Sequence, residues 1–227
     1  VEHSLAGQLS AALGSPVTVE KLELTSFNSI HLSNIAIYDK KQEQLAYIKE
    51  TSISYNPISL FFGNKALDAI SAIQVVEPSL WLKQREDGRW NIEDVWEGKT
   101  SESQEFQGKL TIEKGQVSVV ANAGTWKLEE LKGKVDFSSY PAMGVDVRAL
   151  YKGKEMTLAG QFNAKGRTGL TLYAQELPAA DLKVFLPENI SLQIVGGSVK
   201  QIEINLVQEG GKRQWAGEAR FIDVAGE

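Results

Sequence analysis

From residue 17 onward the apolar side chains of this chain recur at every second position. Val17 and Val19 alternate with polar neighbours, and Leu22 and Leu24 resume the alternation one residue out of phase, which predicts a strand with a bulge or bend between the two pairs. Ile30 and Leu32, then Ile35 and Ile37, carry the same period to Tyr38-Asp39-Lys40. Leu45 to Tyr55, with Ile48 and Ile53, predicts a third strand; Ile73 and Val75 lead through Glu77-Pro78 into Leu80 and Leu82. After a polar stretch the alternation is cleaner. Leu110 and Ile112, Val117 and Val119, Val135 and Phe137, Val145 and Val147, Met156 and Leu158, Leu170 and Leu172, and Ile202, Ile204 and Leu206 succeed one another with glycine turns between them. Strands spaced this way with no long helical period predict an all-β, mainly antiparallel meander. An ordinary sandwich accounts for the alternation equally well.

The period breaks in few places. Leu5, Leu9 and Leu13 lie one helical turn apart and are stopped by Gly14 and Pro16, which predicts a short amphipathic helix. Pro57 to Gly63 predicts an apolar helical turn containing Phe61 and Phe62, and another is expected between Ala179 and Leu186. Asp87-Gly88 predicts a turn, with Asn91 as N-cap of a brief helix to Trp96. Residues 97–105 hold no apolar side chain and form the one clear linker, dividing the chain into 1–96 and 106–227.

Composition narrows the chemistry. In 227 residues there is no cysteine and there are only two histidines, so thiolate nucleophiles, cysteine-based zinc sites and disulfides are excluded. A net charge of −5 with no basic block argues against nucleic acid as a partner. No window is long and apolar enough to span a membrane as a helix. His31 alternates against Ile30 and Leu32 and is expected on a solvated strand face. Nucleophile-elbow, phosphate-loop and zinc-helix motifs are absent, so no catalytic residue, metal or cofactor is expected. Trp81, Trp90, Trp96, Trp126 and Trp215 leave open a sugar-stacking platform, set against a role sealing the ends of the β structure.

One ordered series is more specific. It runs Ala12-Leu-Gly14, Pro16-Val-Thr-Val19, Leu32-Ser-Asn-Ile-Ala-Ile-Tyr-Asp39, Ile58-Ser-Leu-Phe-Phe-Gly63, Val75-Val-Glu-Pro-Ser-Leu-Trp-Leu82 and Asp87-Gly-Arg-Trp-Asn-Ile-Glu-Asp94. The series resembles the N-terminal region of the AsmA-like superfamily, in particular its TamB branch, best over residues 4–96. Leu110 to Val117 and Leu158 to Gly160 continue the repeat style. The family's membrane helix is missing and the chain is far shorter than a full TamB-like protein, so a segment of a longer protein is expected.

The resemblance implies an elongated curled sheet, a taco-like β-groove open along one side, whose apolar interior carries acyl chains. It implies a segment of a bridge-like lipid transport protein that moves phospholipids across the periplasm of a diderm bacterium. Partners would be the inner membrane, through an upstream helix, and an outer-membrane barrel. The candidate lining comprises Ile35, Ile37, Val75, Leu80 and Leu82 from the first unit. From the second it comprises Leu110, Ile112, Val117, Val119, Val135, Phe137, Val145, Val147, Leu158, Leu170, Leu172, Ile202, Ile204 and Leu206. Leu5, Leu9 and Leu13, with Phe61 and Phe62, are expected at one mouth of the groove. Aspartate at Val119 or Leu172 is expected to abolish lipid contact in a folded protein. Two other functions fit the same strands: an assembly factor for outer-membrane barrels that pairs its sheet edges with incoming strands, and a carbohydrate-binding module.

Overall fold

The computed structural model describes residues 6–7, 9–10, 14–62, 69–93, 106–122, 124–163, 166–181, 197–209 and 214–222. They form one sheet of eleven strands in chain order, not closed into a barrel. The strands are β1 (Val17–Ser26), β2 (Ser29–Tyr38), β3 (Gln44–Tyr55), β4 (Ile70–Lys83), β5 (Lys109–Ala121), β6 (Gly124–Asp136), β7 (Ala142–Tyr151), β8 (Lys154–Asn163), β9 (Arg167–Pro178), β10 (Ser198–Glu209) and β11 (Gln214–Ile222). A single turn and a half of helix, α1 (Pro57–Phe62), follows β3, with the Asn56 carboxamide oxygen accepting the Ile58 N–H at 3.0 Å. Of the expected N-terminal helix, Ala6, Gly7, Leu9 and Ser10 are helical, and Leu9 packs on the first strands. Leu5, Leu13 and the 97–105 linker lie outside the described residues.

All neighbouring strands are antiparallel except β4 and β5, which run parallel. The meander expected from alternation is therefore interrupted once, and the polar linker falls inside that interruption. Parallel neighbours need a crossover long enough to return the chain to its starting edge, and residues 84–108 supply it. The two units read from the sequence share one continuous sheet.

The phase slip noticed in the first strand is a feature of six consecutive strands. Each carries two outward positions in succession where alternation allows one: Glu20-Lys21, Ser33-Asn34, Lys49-Glu50, Val76-Glu77, Glu113-Lys114 and Glu129-Glu130. Register aligns these pairs side by side across the sheet, with Lys21 opposite Ser33, Ser33 opposite Glu50, Glu50 opposite Val76 and Val76 opposite Glu113. Asn34, Glu77, Lys114 and Glu130 accomplish the slip by taking left-handed φ values of 53°, 52°, 52° and 53°. One left-handed residue resets the pleat, so apolar side chains on both sides of it return to the same face. Aligned irregularities of this kind bend and twist a sheet locally, and they form a crease from β1 to β6.

A sign-changing substitution checks the crease. A branched Cβ is favoured in a strand but is costly at positive φ. Glu130→Val is therefore expected to destabilise the protein by about 1–2 kcal/mol, whereas Glu129→Val, equally exposed at an ordinary strand position, should be neutral or slightly stabilising. Urea midpoints compare them directly. Equal effects at the two positions would rule out the left-handed geometry.

Candidate functional site

The two faces of the sheet differ in character along its whole width. One cross-strand line pairs Leu22, Leu32, Thr51, Val75, Ile112, Gly133, Val147, Leu158, Leu172, Ile202 and Phe221 in direct register. A second, two residues nearer the β1–β2 turn, pairs Leu24, Ile30, Ile53, Ile73, Leu110, Val135, Val145, Gly160, Leu170, Ile204 and Ala219. Between them runs the line for the other face: Glu23, His31, Ser52, Gln74, Thr111, Lys134, Asp146, Ala159, Thr171, Glu203 and Arg220. Directly opposed residues in a sheet point the same way, so the first two lines are apolar stripes and the third is a polar one. His31 sits on that polar face, its ring nitrogen 3.3 Å from the Ser52 hydroxyl, as its alternation predicts.

Two glycines interrupt the apolar stripes. A Cβ on Gly133 would lie 2.3 Å from the Asp146 carbonyl oxygen, and one on Gly160 would lie 2.3 Å from that of Gly169. The neighbouring strand approaches too closely there for any side chain, so the gaps in the stripes are set by backbone packing.

Past the crease the same face continues with Val17, Ile37, Ala46, Leu80, Val117, Leu128 and Tyr151 in register, and with Leu82, Val119 and Trp126 beyond. Of the candidate lining residues, Ile35 is 5% exposed and Val119 is 6% exposed, and both are core. Val119 packs with Trp126, Tyr151, Met156 and Leu177, and the Trp126 and Tyr151 rings stack at 4.5 Å. This corrects the expectation that aspartate at Val119 leaves the fold intact: the charge would enter a packed cluster. Val75 is also buried, whereas Leu110, Ile112, Val135, Val145, Val147, Leu158, Leu170 and Leu172 are half-buried. For Ile202, Ile204 and Leu206 the register places the positions, Leu206 opposite Thr168, and their side chains lie outside the description. Phe137 falls past the end of β6, where its ring packs on Phe106 at 5.3 Å rather than lining the stripes.

The strands run across the trough, so their ends form its two rims. At the β1 end, Leu9 reaches the apolar cluster from one rim, and the Ser10 hydroxyl accepts the Val17 N–H at 2.9 Å. The α1 helix, carrying Phe61 and Phe62, leaves from the opposite rim, where the Tyr55 N–H donates to the Asn28 carbonyl. The two elements expected at one mouth thus flank it from opposite sides.

The first rim is held by the residues that carried the family resemblance. Asp39, 1% exposed, accepts the Lys41 and Glu43 N–H groups at 2.8 and 2.9 Å and pairs with Arg85 at 3.3 Å. Of the brief helix expected from Asn91 to Trp96, residues 94–96 lie outside the described residues. The Asn91 carboxamide is buried and brackets β4, donating to the Trp81 carbonyl and accepting the Lys83 N–H, at 2.8 and 2.9 Å. Trp90 beside it packs on the apolar cluster. Trp126 and Trp90 therefore sit inward, while Trp81, which precedes both on β4, is exposed, its outward alternation opposite to Leu80 and Leu82. These three do not form a shared stacking platform; the side chains of Trp96 and Trp215 are outside the description.

Electrostatics are concentrated at the rims and on the outer face. A depression of about 410 Å³ opens at the crease, lined by Lys49, Glu77, Lys114, Glu129 and Glu130 among others, with Lys49 and Glu77 paired at 2.9 Å. It is polar and lies off the apolar stripes. On the first rim Tyr151 donates to Asp181 at 2.8 Å, and Lys152 donates to the same oxygen at 2.8 Å. Burial, then the Asp181 hydrogen bond, raises the Tyr151 phenol above its usual value, and Asp181 raises Lys152. Both groups hold their protons more tightly folded than unfolded. Their stabilisation is therefore complete below about pH 10 and is lost as pH rises above that. Denaturant midpoints taken from pH 8 to 11 should fall at the alkaline end, and less steeply in Tyr151→Phe, which keeps the stacked ring. Among the described residues no group of three or more carboxylate or imidazole side chains is placed to hold a metal.

These features define a class, the open single-sheet β protein with one apolar and one polar face. A family model described as an N-terminal domain, TP_0324_N, matches residues 2–130, and the chain belongs to that family. The matched span covers β1 to β5 and the first half of β6, which is the creased part of the sheet. No curated protein matches the chain.

Proposed function

We propose that this chain is a segment of a bridge-like lipid transport protein, and that phospholipid acyl chains move along its apolar face between the inner and outer membranes of a diderm envelope. The observation that supports the reading is the pair of apolar stripes whose positions run in register across all eleven strands, half-buried at most of their positions from β5 to β9 and backed by a polar stripe. At about 4.8 Å between strands, eleven strands make a surface about 48 Å long. Each methylene transferred to it from water gains about 0.8 kcal/mol. Val, Ile and Leu repeat along the stripes without a charged side chain in register, so a tail meets similar contacts at each step and has no reason to stop. The reading needs no catalytic residue, and the net charge of −5 gives no general attraction for anionic headgroups.

The assembly-factor alternative requires a sheet edge open to an incoming strand. β1, one of the two edges, carries Glu20, Lys21 and Glu23, with Lys21 and Glu23 paired at 2.9 Å. Charge on an edge strand discourages pairing, which favours the lipid reading. Native mass spectrometry and organic extraction of the purified protein test it. Phospholipid is expected to travel with the protein; delipidated protein that takes up no phospholipid, but binds a barrel-strand peptide, would overturn the reading in favour of assembly.

A further inference from the structure

The three most exposed large apolar side chains among the described residues are Phe27, Leu24 and Ile58, at 81, 72 and 70%. They come from two separate elements. Leu24 ends β1, Phe27 forms the β1–β2 turn, and Ile58 opens α1. The Tyr55 N–H to Asn28 carbonyl bond joins those elements directly, and the Asn56 cap fixes the start of the helix. The three residues therefore crown a single tip, on the rim opposite Asp39 and Arg85.

Charge separates the two rims at this end. Among the described residues, the segments that meet at the tip, 24–31, 51–62 and 69–76, contain no Asp, Glu, Lys or Arg, and the connection 63–68, outside the described residues, holds one charge of each sign, Lys65 and Asp68. The opposite rim carries Asp39, Lys40, Lys41, Glu43, Arg85 and Asp87 within its two turns. A neutral tip bearing a phenylalanine and two aliphatic side chains matches the boundary between headgroups and acyl chains, where charges are excluded and apolar side chains gain from burial. It also has continuity with the trough, because Leu24 is the first member of the stripe that runs through Ile30, Ile53 and Ile73.

We infer that this tip is a membrane-docking element that inserts Leu24, Phe27 and Ile58 into a bilayer surface and brings the end of the apolar stripe against the acyl chains. The inference rests on the lipid reading of the trough. Because the described tip segments carry no charge, the adjoining 63–68 connection is neutral in sum and the chain is net negative, attachment is by apolar insertion and is insensitive to salt and to anionic lipid.

Vesicle flotation tests it, using the 227-residue chain and vesicles of phosphatidylcholine and phosphatidylethanolamine at 0.1 and 0.5 M salt. The wild-type chain is expected to float at both salt concentrations. The Leu24→Ser, Phe27→Ser, Ile58→Ser triple variant should lose partitioning ~tenfold or more and keep its melting temperature, since all three side chains are exposed. The chain has no cysteine, so Thr25→Cys and Lys41→Cys each give a single labelling site. A polarity-sensitive dye should shift blue on vesicles at position 25 and not at 41. Wild-type protein that does not float, a triple variant that floats equally well, or a shift at 41 and not at 25 overturns the inference. So does a salt-sensitive attachment, or a wild-type dimer that the triple variant dissolves without any vesicle binding. Phospholipid that copurifies with the triple variant keeps the trough reading separate, because it reports the stripes and not the tip.

Discussion

Leu158→Asp and Leu170→Asp proteins are expected to remain folded and to purify with about a hundredfold less bound phospholipid than the wild-type chain. Leu158 on the first apolar stripe and Leu170 on the second lie on the neighbouring strands β8 and β9, and both are half-buried, whereas Leu172, opposite Leu158, packs against the core cluster. A carboxylate at the centre of a hydrocarbon layer costs about 2.5–3.5 kcal/mol, which is two orders of magnitude or more in occupancy. The same substitutions distinguish an open trough from a packed core. In an open trough, water reaches the carboxylate when lipid is absent, and the fold tolerates it. In a core, an unpaired charge has no such relief and the protein unfolds. Leu158→Met, which preserves volume and apolarity, should bind lipid normally. Circular dichroism reports the fold and extraction followed by mass spectrometry reports the lipid. Folded aspartate variants that retain wild-type lipid would sink the transport reading.

The second large effect is structural. Asp39→Ala is expected to cost about 3–5 kcal/mol, the usual consequence of removing one member of a buried ion pair. For a chain of this size that lowers Tm by roughly 10 °C. The carboxylate is 1% exposed, and its loss removes the 3.3 Å pairing with the Arg85 guanidinium, 17% exposed, and the acceptor of the Lys41 and Glu43 N–H groups. Asp39→Asn keeps an acceptor for the two N–H groups and should lose less. In a double-mutant cycle, Arg85→Met should cost much less in the Asp39→Ala background than alone, with about 0.5–3 kcal/mol of coupling. Thermal unfolding measures all four proteins. A loss below 1 kcal/mol in Asp39→Ala would mean that the rim is held by other contacts.

The Asp39 pair also explains why the resemblance motifs look as they do. The strand ending at Tyr38-Asp39 and the Asp87-Gly-Arg-Trp-Asn91 turn are separate in sequence, and nothing in their spacing says that they meet. In the fold one supplies Asp39 and the other follows Arg85, while Asn91 and Trp90 fasten the turn to β4 and to the apolar cluster. In the sequence, Asn91 before a short apolar run reads as a helix cap, and nothing there points to β4. The buried Asn91 carboxamide satisfies two strand-edge groups that would otherwise be orphaned.

Alternation along the chain was sufficient to predict an all-β, mainly antiparallel architecture, because a period of two is a local property of each strand. It placed His31 on the polar face and most of the candidate lining residues on a common one for the same reason. The linker at 97–105 was visible as an interruption in apolar content, but its consequence was not. Only the tertiary structure makes β4 and β5 parallel, since pairing direction depends on where the chain returns to the sheet.

The crease lies in the sequence as an apolar–polar–polar–apolar step that is clean at Val19–Leu22, Leu32–Ile35 and Leu128–Leu131 and blurred by Thr51, Val76 and Gly115 in the other three strands, so the alternation alone marks a phase slip only at the first. In one strand such a step is ambiguous between a bend and a break. Five of them in register from β1 to β5, with the β6 step set between the Gly115–Leu131 and Val117–Leu128 pairs and four of the six carrying a left-handed residue, make one transverse feature. The depth of each apolar position was likewise undecidable from period alone: Val119 and Leu170 have the same local pattern, yet one lies in a packed cluster and the other is half-open to the trough. The sequence by itself determined which side chains share a face, because that is settled by the pleat. The tertiary structure decided which of them are filled by neighbours and which remain for a ligand, because burial is a property of the strands that come to lie beside them.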